Sequence, residues 1–208
     1  MVEQFIEFEM EVSVIAARST VGEIQTFPVV ENIHEDNILK MTIAPARINI
    51  DISNKAEKIA HKTMEVLHGA GVFGIEMFVT KNKEVLINEI APRVHNSGHH
   101  TLQSSKISQF EQHLRAILGM KLGDTKLTHP TIMYNILGPH NFHGEYNTPT
   151  INQNNAFLKM YGKSESKPQR KIGHINIVDK DELGIEKLLE QVKILKDDLL
   201  IKPKKSSR

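Results

Sequence analysis

Apolar and polar residues alternate strictly at the start of the chain. Val2, Gln4, Ile6, Phe8, Met10, Val12, Val14 and Ala16 fall on one face; Glu3, Phe5, Glu7, Glu9, Glu11 and Ser13 fall on the other. Period two predicts a strand over 2–16 with one buried face. A long strand at the first residue implies a start in the middle of a domain. A turn at Ser19–Gly22 leads into a second strand over 22–34. Ser53 or Asn54 is placed to cap a helix that runs to about His68. Its apolar stripe is Ile59, Ala60, Met64, Val66 and Leu67, and Gly69 and Gly71 end it. GVFGIEMFVT and EVLINEIAP flank KNK, which predicts a hairpin. Ser108 and Glu111 form a capping box for a helix to Leu118, closed by Gly119. Residues 131–138, 156–161 and 171–178 read as short strands. An amphipathic helix follows Asp181, with Leu188, Leu189, Val192 and Leu195 on one side. The break GMKLGDTKLTHP, near 120–130, divides residues 1–122 from a small domain over 123–202, and the basic end KPKKSSR, from Lys202 on, reads as a solvated end, with the tail proper set at 203–208. The fold class is α+β.

Composition narrows the function. Of 208 residues, 39% are hydrophobic and 25% charged, which suits a globular protein with a sizeable core. The formal net charge of +1 argues against a surface built to coat nucleic acid or an anionic membrane. Cysteine is absent, which excludes disulfides, thiolate catalysis and thiolate-bound zinc and fits a reducing, cytoplasmic setting. No apolar run is long enough to cross a bilayer.

The hairpin carries the strongest chemical signal. With Asn82–Lys83 as a two-residue turn, Lys81 pairs with Glu84, and Glu76 stands directly opposite Glu89. Their Cβ atoms are then about 5 Å apart on one face. Like charges so placed destabilise a sheet unless something neutralises them. A hard divalent cation with oxygen ligands does so, and Mg²⁺ with nucleotide phosphates is the common case. Two solvated glutamates on an outer face fit the same pattern, and a register slip of one residue separates the pair. Arg93 shares the parity of Glu89, and a polar run from His95 to His100 follows it. Such density suits an anion site. His95 and His99 have helical spacing for a transition metal, but Pro92, Asn96 and Gly98 favour a loop over a His-ligated site.

The segment INEIAPRVHNSGHHT, Ile87 to Thr101, closely resembles the signature of 5-(carboxyamino)imidazole ribonucleotide synthases. SQFEQHLRAILG, the opening VEQFIEFEMEVSVIAAR and YGKSESKPQRKIGHINI resemble the same family, so the likeness covers nearly the whole chain. It implies the carboxy-terminal part of an ATP-grasp domain, an antiparallel sheet with helices, followed by a small β-rich domain. The activity implied is ATP-dependent joining of bicarbonate to aminoimidazole ribonucleotide in purine biosynthesis, through carboxyphosphate. ATP with Mg²⁺ or Mn²⁺ is the implied cofactor, and a homodimer the implied assembly.

By the same resemblance, Glu3, Gln4, Phe5 and Ile6 line the adenine, Glu11 accepts from the ribose hydroxyls, and His34 lies near the nucleotide. Glu76 and Glu89 bind the cation, with Asn88 beside them. Arg93 and His95 hold bicarbonate or carboxyphosphate. Lys163 and Arg170 grip the phosphate of the ribonucleotide, with Lys171 assisting; taken alone, basic residues in that stretch read as a solvated face. Ala91 stands where many ATP-grasp enzymes place a metal-binding Asn, which agrees with this family and disfavours biotin carboxylase. The family's amino-terminal domain and its phosphate-clamping lysine subdomain have no counterpart in the sequence, so weak ATP binding and little turnover are expected of the chain alone. Another ATP-grasp carboxylate–amine ligase and a non-catalytic dimerisation module are the alternatives.

Overall fold

The computed structural model describes residues 2–204. The first strand, β1 (Met10–Arg18), leads through a turn closed by Gly22 N–H to Ser19 C=O into β2 (Ile24–Thr26), β3 (Val30–Glu35) and β4 (Ile38–Ala44). Helix α1 (Ile50–Leu67) follows, then the hairpin β5 (Gly71–Val79) and β6 (Val85–Ala91). A loop with a short 3-10 turn over Asn96–Gly98 connects to α2 (Thr101–Ser104) and α3 (Gln109–Ile117). The remainder comprises β7 (Thr131–Leu137), β8 (Tyr146–Asn147), β9 (Ala156–Met160), β10 (Lys171–Val178), α4 (Ile185–Leu195) and β11 (Lys202–Pro203). The main sheet is antiparallel throughout, in the order β6-β5-β1-β3-β4-β7-β10-β9, with β2 also on β1. β4 and β7 share a ladder, so the elements on both sides of residues 120–130 build one sheet.

β1 is central and both of its faces are covered. Val12, Val14 and Ala16 pack with Ile52, Ala56, Ala60 and Met64 of α1. Ile15 and Ala17 pack on the other side with Phe27, with Ile107 just before α3 and with Ala116 on α3. Within the strand the alternation therefore accompanies two covered faces, not one, while residues 2–9 are mostly exposed. The strand also begins at Met10 rather than at residue 2, because its ladder with β5 ends at the Met10–Val79 pair. Glu9 N–H still reaches Val79 C=O, and Phe8 stacks on Phe78 with ring centroids 4.4 Å apart. The second expected strand is split in two at Pro28, which has no N–H to donate.

Helix α1 starts earlier than Ser53: Asn49 Oδ1 accepts from Ile52 N–H at 2.9 Å, which makes Asn49 the cap. It ends on His68 in the left-handed region (φ 54°), one residue before Gly69. Its buried stripe is Ile52, Ala56, Ala60, Thr63 and Met64, while Val66 and Leu67 face outward. The capping expectation for α3 holds for Ser108, whose Oγ accepts from Glu111 N–H, but the Glu111 side chain turns forward to Arg115. Pro203, read as the start of the basic tail, pairs with Tyr146 of β8 as Lys202 does with Asn147, and Lys204 Nζ meets Glu145 at 3.1 Å. Residues 205–208 of that tail lie outside the described residues. Among the described residues, no helix is long and apolar enough to cross a membrane.

Candidate active site

The hairpin loop has three residues, not two. Thr80 N–H donates to Glu84 C=O and Lys83 N–H to Thr80 C=O, and Lys83 takes a positive φ of 62°. This is a type I turn with a left-handed third residue. Thr80, not Lys81, therefore opposes Glu84, and near the turn the ladder runs Val79–Val85, Phe78–Leu86, Met77–Ile87. A bulge at Asn88 then adds one residue to β6, and beyond it Glu76 opposes Glu89. The carboxylates face each other because a bulge restores the register that the loop displaced.

Glu76, Glu89 and His95 each offer one ligand atom, and these atoms lie within 4.8 Å of one another. His95 Nε2 is 3.4 Å from Glu76 Oε1. Burial, then the Glu89 charge, raises the Glu76 carboxyl above its ordinary range. Burial, then the Arg93 and Lys171 cations, lowers His95 to about 4, so its ring is neutral near pH 7. Burial also lowers the Lys171 ammonium, against the pull of Glu76.

These groups line one cavity of about 740 Å³. Of the residues expected there, Glu11, His34, Glu76, Asn88, Glu89, Arg93, His95 and Lys171 all face it. His34 Nδ1 and Glu11 Oε2 form a pair at 2.6 Å across β3 and β1. Glu3, Gln4, Phe5 and Ile6 do not line it: Gln4 to Ile6 border a separate groove beside the hairpin loop, and Glu3 is exposed. Lys163 and Arg170 are also outside it. They sit in the turn before β10, where Lys163 C=O accepts from the Tyr146 hydroxyl and Arg170 donates to Glu165 C=O. The three histidines after Arg93 do not converge. His99 packs against His174, ring centroids 4.8 Å apart and tilted by 30°, and fully buried His100 meets Ser104 Oγ at 2.7 Å.

Sequence reasoning missed the parts that hold the loop. Gln109 takes His95 N–H on its Oε1 (2.9 Å) and gives its amide N–H to His95 C=O (2.7 Å). Asn96 and Asn135 exchange amide hydrogen bonds of 3.0 and 2.7 Å. Asn176 donates to His99 C=O. Gly74, in mid-β5, leaves room for the His95 ring. An isolated glycine inside a strand pattern is a signal of close approach and could have revealed that contact.

Residues 1–110, which carry the paired carboxylates and the loop above them, match the ATP-grasp domain family. Residues 131–188 match the family described as phosphoribosylaminoimidazole carboxylase C-terminal domain. The chain is 46% identical over 182 residues to the N5-carboxyaminoimidazole ribonucleotide synthase of Bacillus subtilis (strain 168), covering 88% of this chain and 47% of that protein. The Thermotoga maritima synthetase structure matches with a TM-score of 0.87 at 43% identity, over 97% of this chain and 55% of that one. The Aspergillus clavatus synthase, in complex with ADP and 5-aminoimidazole ribonucleotide, matches with a TM-score of 0.83 at 33% identity, over 94% and 52%. The chain belongs to the N5-carboxyaminoimidazole ribonucleotide synthase family, and it spans about half the length of the curated synthases it matches and about a third of the phosphoribosylaminoimidazole carboxylases.

Proposed function

We propose that this chain supplies one wall of the active site of an ATP-dependent carbon–nitrogen ligase that carboxylates aminoimidazole ribonucleotide with bicarbonate. The observation that carries the reading is the opposition of Glu76 and Glu89 in the same cavity as Arg93, His95 and Lys171. The donor set suits a hard divalent cation: two carboxylates, one half-buried and already burdened by its neighbour's charge. Mg²⁺ held by Glu76 and Glu89, with Asn88 adjacent, would neutralise the triphosphate of ATP and the charge that develops on its transferred phosphoryl group. Phe8 and Phe78 give the same cavity an apolar plate suited to a planar base, and the His34–Glu11 pair places acceptors for ribose hydroxyls nearby.

In this reading a bicarbonate oxygen attacks the γ-phosphorus, ADP leaves, and the ribonucleotide amine displaces phosphate from the resulting carboxyphosphate. Arg93 and Lys171 hold the anionic carboxyl and phosphoryl groups, and His95 donates one hydrogen bond to them. The ribonucleotide phosphate falls to Lys163 and Arg170 on the turn leading into Lys171.

The test is titration of the chain with Mn²⁺ and ATP, followed by electron paramagnetic resonance of the free ion. The expected result is ATP-dependent Mn²⁺ binding that Glu76→Gln and Glu89→Gln each weaken about tenfold or more, ~1.4 kcal/mol. Unchanged binding in both variants would overturn the metal assignment. Substrate identity is tested in a chimera that places the first half of the Bacillus subtilis relative before this chain. Phosphate release there should depend on aminoimidazole ribonucleotide; release that ignores it would point to another amine.

A further inference from the structure

A line of buried polar side chains crosses the sheet and ends on His95. Thr42 Oγ1 donates to Asn32 Oδ1 (3.0 Å), Asn32 Nδ2 to Ser13 Oγ (2.9 Å), and Ser13 Oγ to Ser97 Oγ (2.8 Å). Ser97 Oγ lies 2.9 Å from His95 Nδ1, and Ser97 N–H points at the same nitrogen at 3.4 Å. All four residues upstream of the histidine are 5% exposed or less. Burying four polar side chains across four elements costs free energy unless each is paired, and here every link is made.

The direction of the line is fixed at its end. A backbone N–H can only donate, and Ser97 N–H points at His95 Nδ1, which is therefore an acceptor. The Ser97 hydroxyl, which receives from Ser13, then has its one proton to give to the same nitrogen, and Ser13 in turn receives from the Asn32 amide. An imidazole that accepts at one nitrogen carries its proton on the other.

We infer that Ser97, backed by Ser13, Asn32 and Thr42, is a positioning residue that holds His95 as the Nε2–H tautomer, with that proton directed into the cavity beside Glu76. His95 Nε2 then has no lone pair to offer an ion, although it lies within reach of Glu76 and Glu89. The cation site is left with carboxylate oxygens alone, and the imidazole is a hydrogen-bond donor to whatever anion approaches Glu76. Its role toward carboxyphosphate rests on the function proposed above; its tautomer does not.

The test is two-bond ¹H–¹⁵N correlation spectroscopy on the chain labelled at histidine, near pH 7 and without metal, with His95 assigned from a His95→Gln sample. The expected spectrum shows a protonated Nε2 and an accepting Nδ1 for His95. Ser97→Ala, which removes one hydroxyl, should shift population toward the Nδ1–H form. A native spectrum with the proton on Nδ1 overturns the inference without recourse to any variant. So does a Ser97→Ala spectrum with the native tautomer populations. Mn²⁺–ATP binding that Glu76→Gln and Glu89→Gln leave unchanged, with the Nε2–H tautomer intact, would sink the proposed metal site and leave this inference standing.

Discussion

Replacing Gly74 by alanine tests how tightly the His95 loop is seated on the sheet. Gly74 opposes Ile15 on β1 and Ala91 on β6. A Cβ at this position would stand 2.5 Å from both Cβ and Cγ of His95, where ordinary contact begins at 3.4 Å. The ring root must therefore retreat by about 1 Å, an overpacking that typically costs ~1–3 kcal/mol. It has no free direction to take, because Gln109 holds the His95 backbone N–H and C=O and Ser97 holds Nδ1. One weakened hydrogen bond adds ~0.5–1.5 kcal/mol, and the entropy that alanine removes from the unfolded chain returns ~0.4–1 kcal/mol. The net loss is about 1–3 kcal/mol, or a fall in Tm of roughly 2–12 °C for a chain of this length. Gly69→Ala is the control. Its Cβ would meet Phe73 at 2.6 Å, but at Cζ, the far end of a ring that can tilt. Calorimetry on both variants, with the His95 resonances followed by NMR, decides the matter. Equal Tm values and an unmoved His95 would refute the reasoning.

Glu89→Gln removes a like charge facing Glu76, so the metal-free protein should gain ~0.2–1 kcal/mol even as Mn²⁺–ATP affinity falls; a drop in metal-free Tm would contradict this. Gln109→Leu leaves His95 N–H and C=O buried without partners and should cost about 2–5 kcal/mol by urea denaturation, with a loss below 1 kcal/mol as the contrary outcome. Acid should destabilise the fold through His99, His100 and His174, which burial lowers to about 4, 3 and 3. The unfolded chain takes up these protons near pH 6.5 and the folded one only near 3–4, so stability is complete above about 6.5 and declines as pH falls toward 4. Each histidine contributes at most ~1.4 kcal/mol per pH unit in that window. Glu76, raised by burial, works against the trend. A urea midpoint that stays flat from pH 6.5 to 4 would count against buried neutral histidines.

Much of the fold was legible because its signals are local. The strands β7, β9 and β10, the Ser108 cap and the Leu188–Val192–Leu195 stripe all follow from period and capping chemistry within a dozen residues. What failed depended on partners distant in the chain. The alternation before Met10 continues, with Gln4 and Phe5 out of place, into that after it, yet only the second part has a strand beside it. Asn49 caps α1 without an apolar repeat behind it to draw the eye. The loop from Arg93 to Ser104 reads as a polar run, but its shape is set by amides from α3, β7 and β10. No local pattern in the sequence says that Gln109, Asn135 and Asn176 face it.

The carboxylate pair shows how a local reading can reach the right contact by the wrong route. A two-residue turn puts Glu76 opposite Glu89; the three-residue loop, left alone, would put Glu76 opposite Asn88 and turn Glu89 toward the other face. The bulge at Asn88 cancels that displacement, so loop and bulge act as one device. The loop is anchored by Thr80, whose N–H and hydroxyl both engage Glu84, and by the left-handed conformation of Lys83. A shorter loop with the bulge retained would separate the carboxylates, as would the present loop without the bulge. The energetic reason to keep a bulge on an edge strand is therefore chemical: it aims one charged side chain at another that the sheet would prefer to keep apart. In the function proposed above, the cation between the two carboxylates is what offsets that repulsion.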